Sequence, residues 1–294
     1  MGGVADRADP PPRAGRAESR ESIELRALKE KQPELREAIE MHLELLDMER
    51  RIRTRVPLPS IELSARIFAE HQSAGRPLLR FADIPLEPTD LRLAIRQTAE
   101  ILRRFGALEE AECQHVLDLG RDPELPALVA AWYRAVSEGA GPAAPAAAPA
   151  PVPGEPFDQV FTLAMRPFLS RCAEAVQQRP ELAAWRHAHC ALCGGEPDFA
   201  VITPAAERHL ICGRCGLRWN FEPLTCPYCC NGDRARITSF ATPDGQYRVY
   251  ACDICRRYLK AYDGRRATRP VMPVVDGLAT LPLDAAAIQR GYSG

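Results

Sequence analysis

Eight of the chain's eleven cysteines fall into four Cys-x-x-Cys pairs: Cys190/Cys193, Cys212/Cys215, Cys226/Cys229 and Cys252/Cys255. Two thiolates three positions apart can grip one ion from a single tight turn. A closed tetrahedral site needs two such turns facing each other, with metal–sulfur bonds of about 2.3 Å. Four pairs therefore predict two metal ions, each held by four sulfurs. One Cys-x-x-Cys is a weak signal; four between Cys190 and Cys255 form a strong one. A site closed by four thiolates has no open position, so its chemistry is structural or electron-transferring rather than hydrolytic. The sequence shows no Ser-His-Asp pattern, Gly-rich phosphate loop or His-Glu-x-x-His helix, and it reads as a non-enzyme.

The residues between the pairs indicate which turns meet. Between Cys193 and Cys212, Phe199–Thr203 and Arg208–Ile211 read as strands joined by a turn at 204–207. Between Cys229 and Cys252, Ala235–Phe240 and Gln246–Tyr250 flank Pro243-Asp-Gly245, a strong hairpin signal. Each hairpin folds its second pair back beside its first. Site one then takes Cys190, Cys193, Cys212 and Cys215, and site two takes Cys226, Cys229, Cys252 and Cys255. The alternative is an interleaved cross-brace, first pair with third. A disulfide framework would need an oxidising compartment, and the first twenty residues lack the apolar core of a secretory signal.

Gly194 and Gly216 follow the first two knuckles, where a backbone N–H can turn toward a thiolate; Cys230 and Arg256 stand at the matching positions of the other two. Cys230 reads as a spare thiol, the alternative being a ligand swap or a reactive group beside the metal. His187, His189 and His209 flank site one without being needed as ligands. Cys113 and Cys172 sit on apolar helix faces and read as buried thiols.

The elements that must position these turns are helices. Segment 1–20 reads as disordered and 21–138 as a helical domain. Amphipathic spacing runs from Glu24 to Arg53 through Leu28, Leu35, Ile39, Leu43, Leu46 and Ile52. Ser60 is positioned to cap a second helix closed by Gly75, and Thr89 or Asp90 a third stopped by Gly106. A short helix follows from Leu108 to Leu119, and Asp122-Pro123 begins another. Segment 139–156 is an Ala/Pro-rich linker or loop. Segment 157–186 is a helix packing on the helical domain. The ribbons occupy 187–224 and 225–268, and 269–294 is a C-terminal tail. The fold class is α+β: a helical domain followed by two tandem rubredoxin-like or zinc-ribbon-like modules.

At 294 residues with a net charge of −1, the chain is large enough for a core and does not call for a polyanion partner. The ribbon region 186–269 carries thirteen Arg or Lys against eight Asp or Glu, and two divalent ions in four-thiolate sites would cut that surplus to about one charge. Nucleic acid is therefore not expected as a partner. No apolar run is long enough for a membrane span, and Asp6 stands where a myristoylation signal wants Ser or Thr. The expectation is a cytoplasmic protein. The ribbons have few large apolar residues, so metal should supply much of their folding energy. Cys212→Ser is expected to release one ion and unfold site one while leaving the helices largely intact.

These residues resemble the formate dehydrogenase accessory protein E family. The resemblance rests on Cys190-Ala-Leu-Cys-Gly-Gly-Glu-Pro197, on Leu210-Ile-Cys-Gly-Arg-Cys215 with Trp219, and on the Cys226 and Cys252 pairs. It continues in Asp276-Gly-Leu-Ala-Thr-Leu-Pro-Leu-Asp284, where Gly277 replaces the second Asp of that family's tail. The resemblance implies a factor needed to produce active formate dehydrogenase, which binds that enzyme's catalytic subunit and carries iron in rubredoxin-like sites. Knuckle geometry leans only slightly to iron, since zinc ribbons show the same turns; the resemblance supplies the rest of the preference, with zinc as the alternative. A rubredoxin-like electron-transfer protein is the main rival reading, and a nucleic-acid-binding zinc ribbon a weaker one.

Overall fold

The computed structural model describes residues 18–138, 157–267 and 269–294. The Ala/Pro-rich segment and nearly all of the expected disordered N-terminus lie outside these residues. The helical part comprises α1 (Arg20–Lys31), α2 (Arg36–Arg53), α3 (Ala65–Ala74), α4 (Pro88–Arg104), α5 (Glu110–Leu119), α6 (Leu125–Glu138) and α7 (Phe157–Val176). The sheet comprises β1 (Pro197–Ile202), β2 (Arg208–Cys212), β3 (Arg218–Phe221), β4 (Ile237–Ala241), β5 (Tyr247–Cys252) and β6 (Tyr258–Asp263). Two tail helices follow, α8 (Pro273–Ala279) and α9 (Leu281–Gln289).

The periodicity from Glu24 to Arg53 is split into two helices rather than one. Pro33 lacks an N–H, and a 3-10 turn from Pro33 to Leu35 separates α1 from α2. α3 begins at Ser64 rather than Ser60, because the Ser64 side chain is the one that accepts the Ile67 N–H. Gly75 ends it in the left-handed region, at φ +61°. α4 has Pro88 at its first position and Glu87 as its cap residue, two positions before the expected Thr89 and three before Asp90. α7 is buried along most of its length, through Val160, Phe161, Ala164, Phe168 and Cys172, and continues past Pro167.

The six strands form one sheet in the order β3-β2-β1-β6-β5-β4. Each ribbon contributes three antiparallel strands. The two halves join through β1 and β6, which pair parallel with Phe199 opposite Lys260 and Val201 opposite Tyr262. The tandem ribbons are thus fused edge to edge. Neither β3 nor β6 was expected as a strand, yet Arg218-Trp-Asn-Phe221 alternates exposed and buried with the period of two that a half-buried strand shows.

The sheet has two covered faces. Ala200, Ile202, Leu210, Leu259 and Ala261 join the core of the helical domain. On the other face Phe199, Ile211, Tyr247, Val249 and Tyr262 pack under Val271, Leu283, Ala287 and Tyr292 of the tail. α8 also reaches α1 and α2 through Met272, Val275 and Leu278 against Leu25, Ile39 and Leu46. The acidic residues of the tail anchor it. Asp276 is fully buried and accepts from Tyr247 Oη at 2.7 Å, Arg269 Nη2 at 2.6 Å and the Met272 N–H at 2.7 Å. Asp284 accepts from Lys260 Nζ at 2.6 Å and Tyr258 Oη at 2.7 Å. At Gly277 a Cβ would meet nothing within 4 Å, so a side chain has room there.

Candidate metal centres

All four knuckles share one backbone design. The N–H of the first cysteine donates to the carbonyl five residues on: Cys190 to Gly195, Cys212 to Leu217, Cys226 to Asn231 and Cys252 to Arg257. The residue after the second cysteine donates back to the first cysteine's carbonyl: Gly194, Gly216, Cys230 and Arg256. Closing this turn requires a left-handed residue, and φ there is +69°, +75°, +57° and +59° in that order. Glycine takes this conformation freely, whereas a side chain there costs about 1–2 kcal/mol. Arg256 has compensating contacts: its guanidinium lies 4.2 Å from the Tyr292 ring centroid and donates to the Arg290 carbonyl at 2.8 Å. Cys230 is exposed and outside both sulfur clusters.

The β1–β2 hairpin carries the Cys212 pair back to the Cys190 pair, and the β4–β5 hairpin does the same for the Cys226 and Cys252 pairs. The sulfurs of Cys190, Cys193, Cys212 and Cys215 lie within 4.8 Å of one another, as do those of Cys226, Cys229, Cys252 and Cys255. This is the grouping the hairpins imply, not the interleaved one. Closest approaches are 3.5 Å for Cys190–Cys215 and Cys193–Cys212, 3.6 Å for Cys226–Cys255 and 3.7 Å for Cys229–Cys252. A tetrahedron with 2.3 Å bonds would space its sulfurs by about 3.8 Å. The donor set and its dimensions fit a four-coordinate soft ion, so the two clusters could hold two metal ions. All eleven cysteines are free.

The two clusters differ in setting. All four cysteines of site one are buried. In site two Cys226 and Cys252 are buried, Cys255 is half-buried and Cys229 is exposed. In site one burial disfavours the thiolates of Cys190 and Cys215 and holds both well above the usual thiol range. Burial opposes ionisation of Cys212 too, but thiols of Cys190, Cys193 and Cys215 donating to its sulfur override that and hold it well below. Cys252 stands at the same place in site two. There burial is outweighed by the Cys255 and Ile254 N–H groups, and its pKa falls to about 7.

Site one is built into the helical domain. The segment between α3 and α4 runs along its first knuckle, with the N–H groups of Leu78 and Leu79 donating to the Ala191 and Leu192 carbonyls. Arg214, inside the second knuckle, donates to the Val136 carbonyl on α6 at 2.9 Å. None of the three flanking histidines joins the sulfurs. His187 Nε2 lies 2.7 Å from the Gln72 carbonyl and His189 Nε2 lies 3.1 Å from the Gly75 carbonyl, so both rings dock the end of α3. His209 stays at the surface, 3.7 Å from Glu207.

Several residues around the sites escaped the sequence reading. Arg257 forms a two-pronged ion pair with Glu196 at 2.9 and 2.8 Å and lies 3.7 Å from the Tyr228 ring centroid. Tyr228 Oη donates to the Pro197 carbonyl at 3.1 Å. These three link the first, third and fourth knuckles. Asn231 places its side-chain amide 3.7 Å from Cys252 Sγ. The available signal was position: Asn231, like Gly195, lies five residues after the first cysteine of its knuckle.

Comparison with known proteins bears on this architecture. The proteins called FdhE from Escherichia coli O1:K1, Shigella boydii serotype 18 and Escherichia fergusonii are each 29% identical over 108 residues. That match covers 36% of this chain and 35% of each relative, so it spans about a third of their length. The crystal structure of the FdhE protein from Pseudomonas aeruginosa superposes with a TM-score of 0.60, covering 93% of this chain and 91% of that one at 19% identity. The chain resembles the FdhE family. Its sequence carries that likeness over a third of its length, and its α+β fold carries it over nearly all of the chain. No family model matches. Among the described residues, no helix is long and apolar enough to cross a membrane.

Proposed function

We propose that the chain is a cytoplasmic maturation factor for formate dehydrogenase, which binds that enzyme's catalytic subunit and is not itself an enzyme. The observation that carries this reading is the likeness to FdhE proteins in a single body that includes two four-sulfur clusters. The helices, sheet and tail share continuous cores, as suits a body that presents one surface to a partner. The eight cysteines act as ligands to two ions, iron in preference to zinc. A pull-down from cells making a molybdenum- or tungsten-containing formate dehydrogenase should recover its catalytic subunit. Recovery of nucleic acid alone would sink the proposal. Protein from iron-rich cells should be red, with thiolate-to-ferric bands bleached by dithionite; colourless protein with two zinc ions per chain would overturn the iron assignment.

One observation favours a second reading, electron transfer. Cys229 is exposed, which gives site two the solvent-facing edge that a redox partner needs. A reversible one-electron couple at physiological potential, without capture of a formate dehydrogenase subunit, would support it.

A further inference from the structure

Arg208 opens β2 and is only 2% exposed. It forms no ion pair with any described carboxylate. Its guanidinium donates instead to the main-chain carbonyls of Glu222 and Thr225 and lies 5.3 Å from the Phe221 ring centroid. Its Nε is buried with no partner. Burial pulls its pKa down to about 10, which still leaves it charged at neutral pH. A buried, unpaired cation is strongly unfavourable unless negative charge lies close by.

That charge can come from the second sulfur cluster. Arg208 lines one small cavity together with Thr225, Cys226, Tyr228, Tyr250 and Cys252. Thr225, whose carbonyl it holds, immediately precedes Cys226. Burial pushes the Tyr228 hydroxyl pKa up, so it brings no charge, and the Glu222 carboxylate, which also favours the cation, belongs to an exposed side chain. Four thiolates around a divalent ion carry two negative charges, and around a ferric ion one.

We propose that Arg208 is the buried counter-ion of the second metal–thiolate centre, fixing the Cys226 knuckle through the Glu222 and Thr225 carbonyls that lead into it and offsetting the centre's negative charge. This rests on the reading that the eight cysteines bind metal. It makes Arg208 a positioning residue for that centre, one that tunes how tightly the ion is held and, with iron, its potential.

The test uses the full chain loaded with zinc, with excess chelator following release from wild type, Arg208→Gln and Arg208→Lys. Cys255→Ser, which loses the second site, assigns the phases. Arg208→Gln should release the second ion at least about tenfold faster, the scale of groups that support metal ligands indirectly. Release from site one should be unchanged, which also reports an intact fold, and Arg208→Lys should restore most of the retention. Equal release from wild type and Arg208→Gln overturns the proposal and leaves the metal reading standing. Loss in Arg208→Lys as large as in Arg208→Gln also overturns it, since charge would then not matter. A wild-type chain that binds no ion overturns both. A second readout is specific to charge. Iron-loaded Arg208→Gln should have a lower midpoint potential at the second site, because the lost cation favoured the dianionic ferrous form. An unchanged or higher potential counts against the counter-ion role.

Discussion

The backbone N–H of Leu79 donates to the carbonyl of Leu192 at 2.9 Å. Leu192 lies between the cysteines of the first knuckle, and Leu79 lies between α3 and α4, so the metal turn and the helical domain share main-chain hydrogen bonds. Cys190, Leu192, Cys193 and Cys212 belong to the same core as Trp132, Phe161 and Phe168. This changes the expected effect of Cys212→Ser. The helices should not survive intact: stability of the whole chain should fall by at least about 3 kcal/mol, with helical signal lost in the same transition. Cys255→Ser, at the more exposed cluster, should lose one ion and leave the helices' melting temperature nearly unchanged. Circular dichroism melts with metal analysis would check this, and equal effects of the two variants would contradict it.

Gly194 and Gly216 occupy matching left-handed positions but different surroundings. A Cβ on Gly194 would come within 2.6 Å of the Ser137 carbonyl and 2.8 Å of Pro77 Cγ, whereas one on Gly216 would meet nothing within 4 Å. Gly216→Ala should cost only its backbone strain, about 1–2 kcal/mol. Gly194→Ala should cost roughly twice that, because it also forces α6 and the Pro77 segment away from the knuckle. Denaturant titration would measure both, and similar costs would mean that the contact yields easily.

Asp276 and Arg269 form the ion pair that holds the tail. Asp276→Asn keeps the shape but removes the charge, and it should destabilise the chain by about 3 kcal/mol by leaving Arg269 only its longer contact with Glu24, at 3.8 Å. The double variant with Arg269→Met should cost less than the two single variants added together. Additive costs would show that the two side chains act independently. Limited proteolysis should find the tail after Arg269 cut first in Asp276→Asn.

His42 on α2 has a pKa below its ordinary value, chiefly through burial, with the Arg166 charge adding to the effect against a bond to the Ala38 carbonyl. A base with a lowered folded pKa binds fewer protons than in the unfolded chain. Its contribution to stability is therefore full above about pH 6.5 and is lost as pH falls from there toward the folded pKa. His42→Gln should flatten the stability profile between pH 7 and 6, as read by denaturant midpoints. An unchanged slope would place the titration elsewhere.

Much of the site was legible because it is local. Cysteine spacing determines a knuckle, and two turn-bounded alternations determine which knuckles meet, so the eight cysteines and their grouping could be read from order alone. Helix positions were legible for the same reason, with errors where a side chain chose between caps, as Ser64 did over Ser60, or where Pro33 cut a continuous stripe. What the tertiary structure decided is non-local. Spacing carries no trace of the parallel pairing of β1 with β6, which lie about sixty residues apart in the chain and turn two ribbons into one sheet. Nor does it show that one cluster is buried against helices and the other reaches solvent, since identical Cys-x-x-Cys turns serve both. His187, His189 and Arg208 have roles set by what packs on them. Carbonyls of the α3 terminus meet the first two, and the Glu222 and Thr225 carbonyls, beside a cavity that Cys226 and Cys252 also line, meet the third. Burial and pairing of this kind depend on surfaces contributed by distant segments, and only the folded chain brings them together.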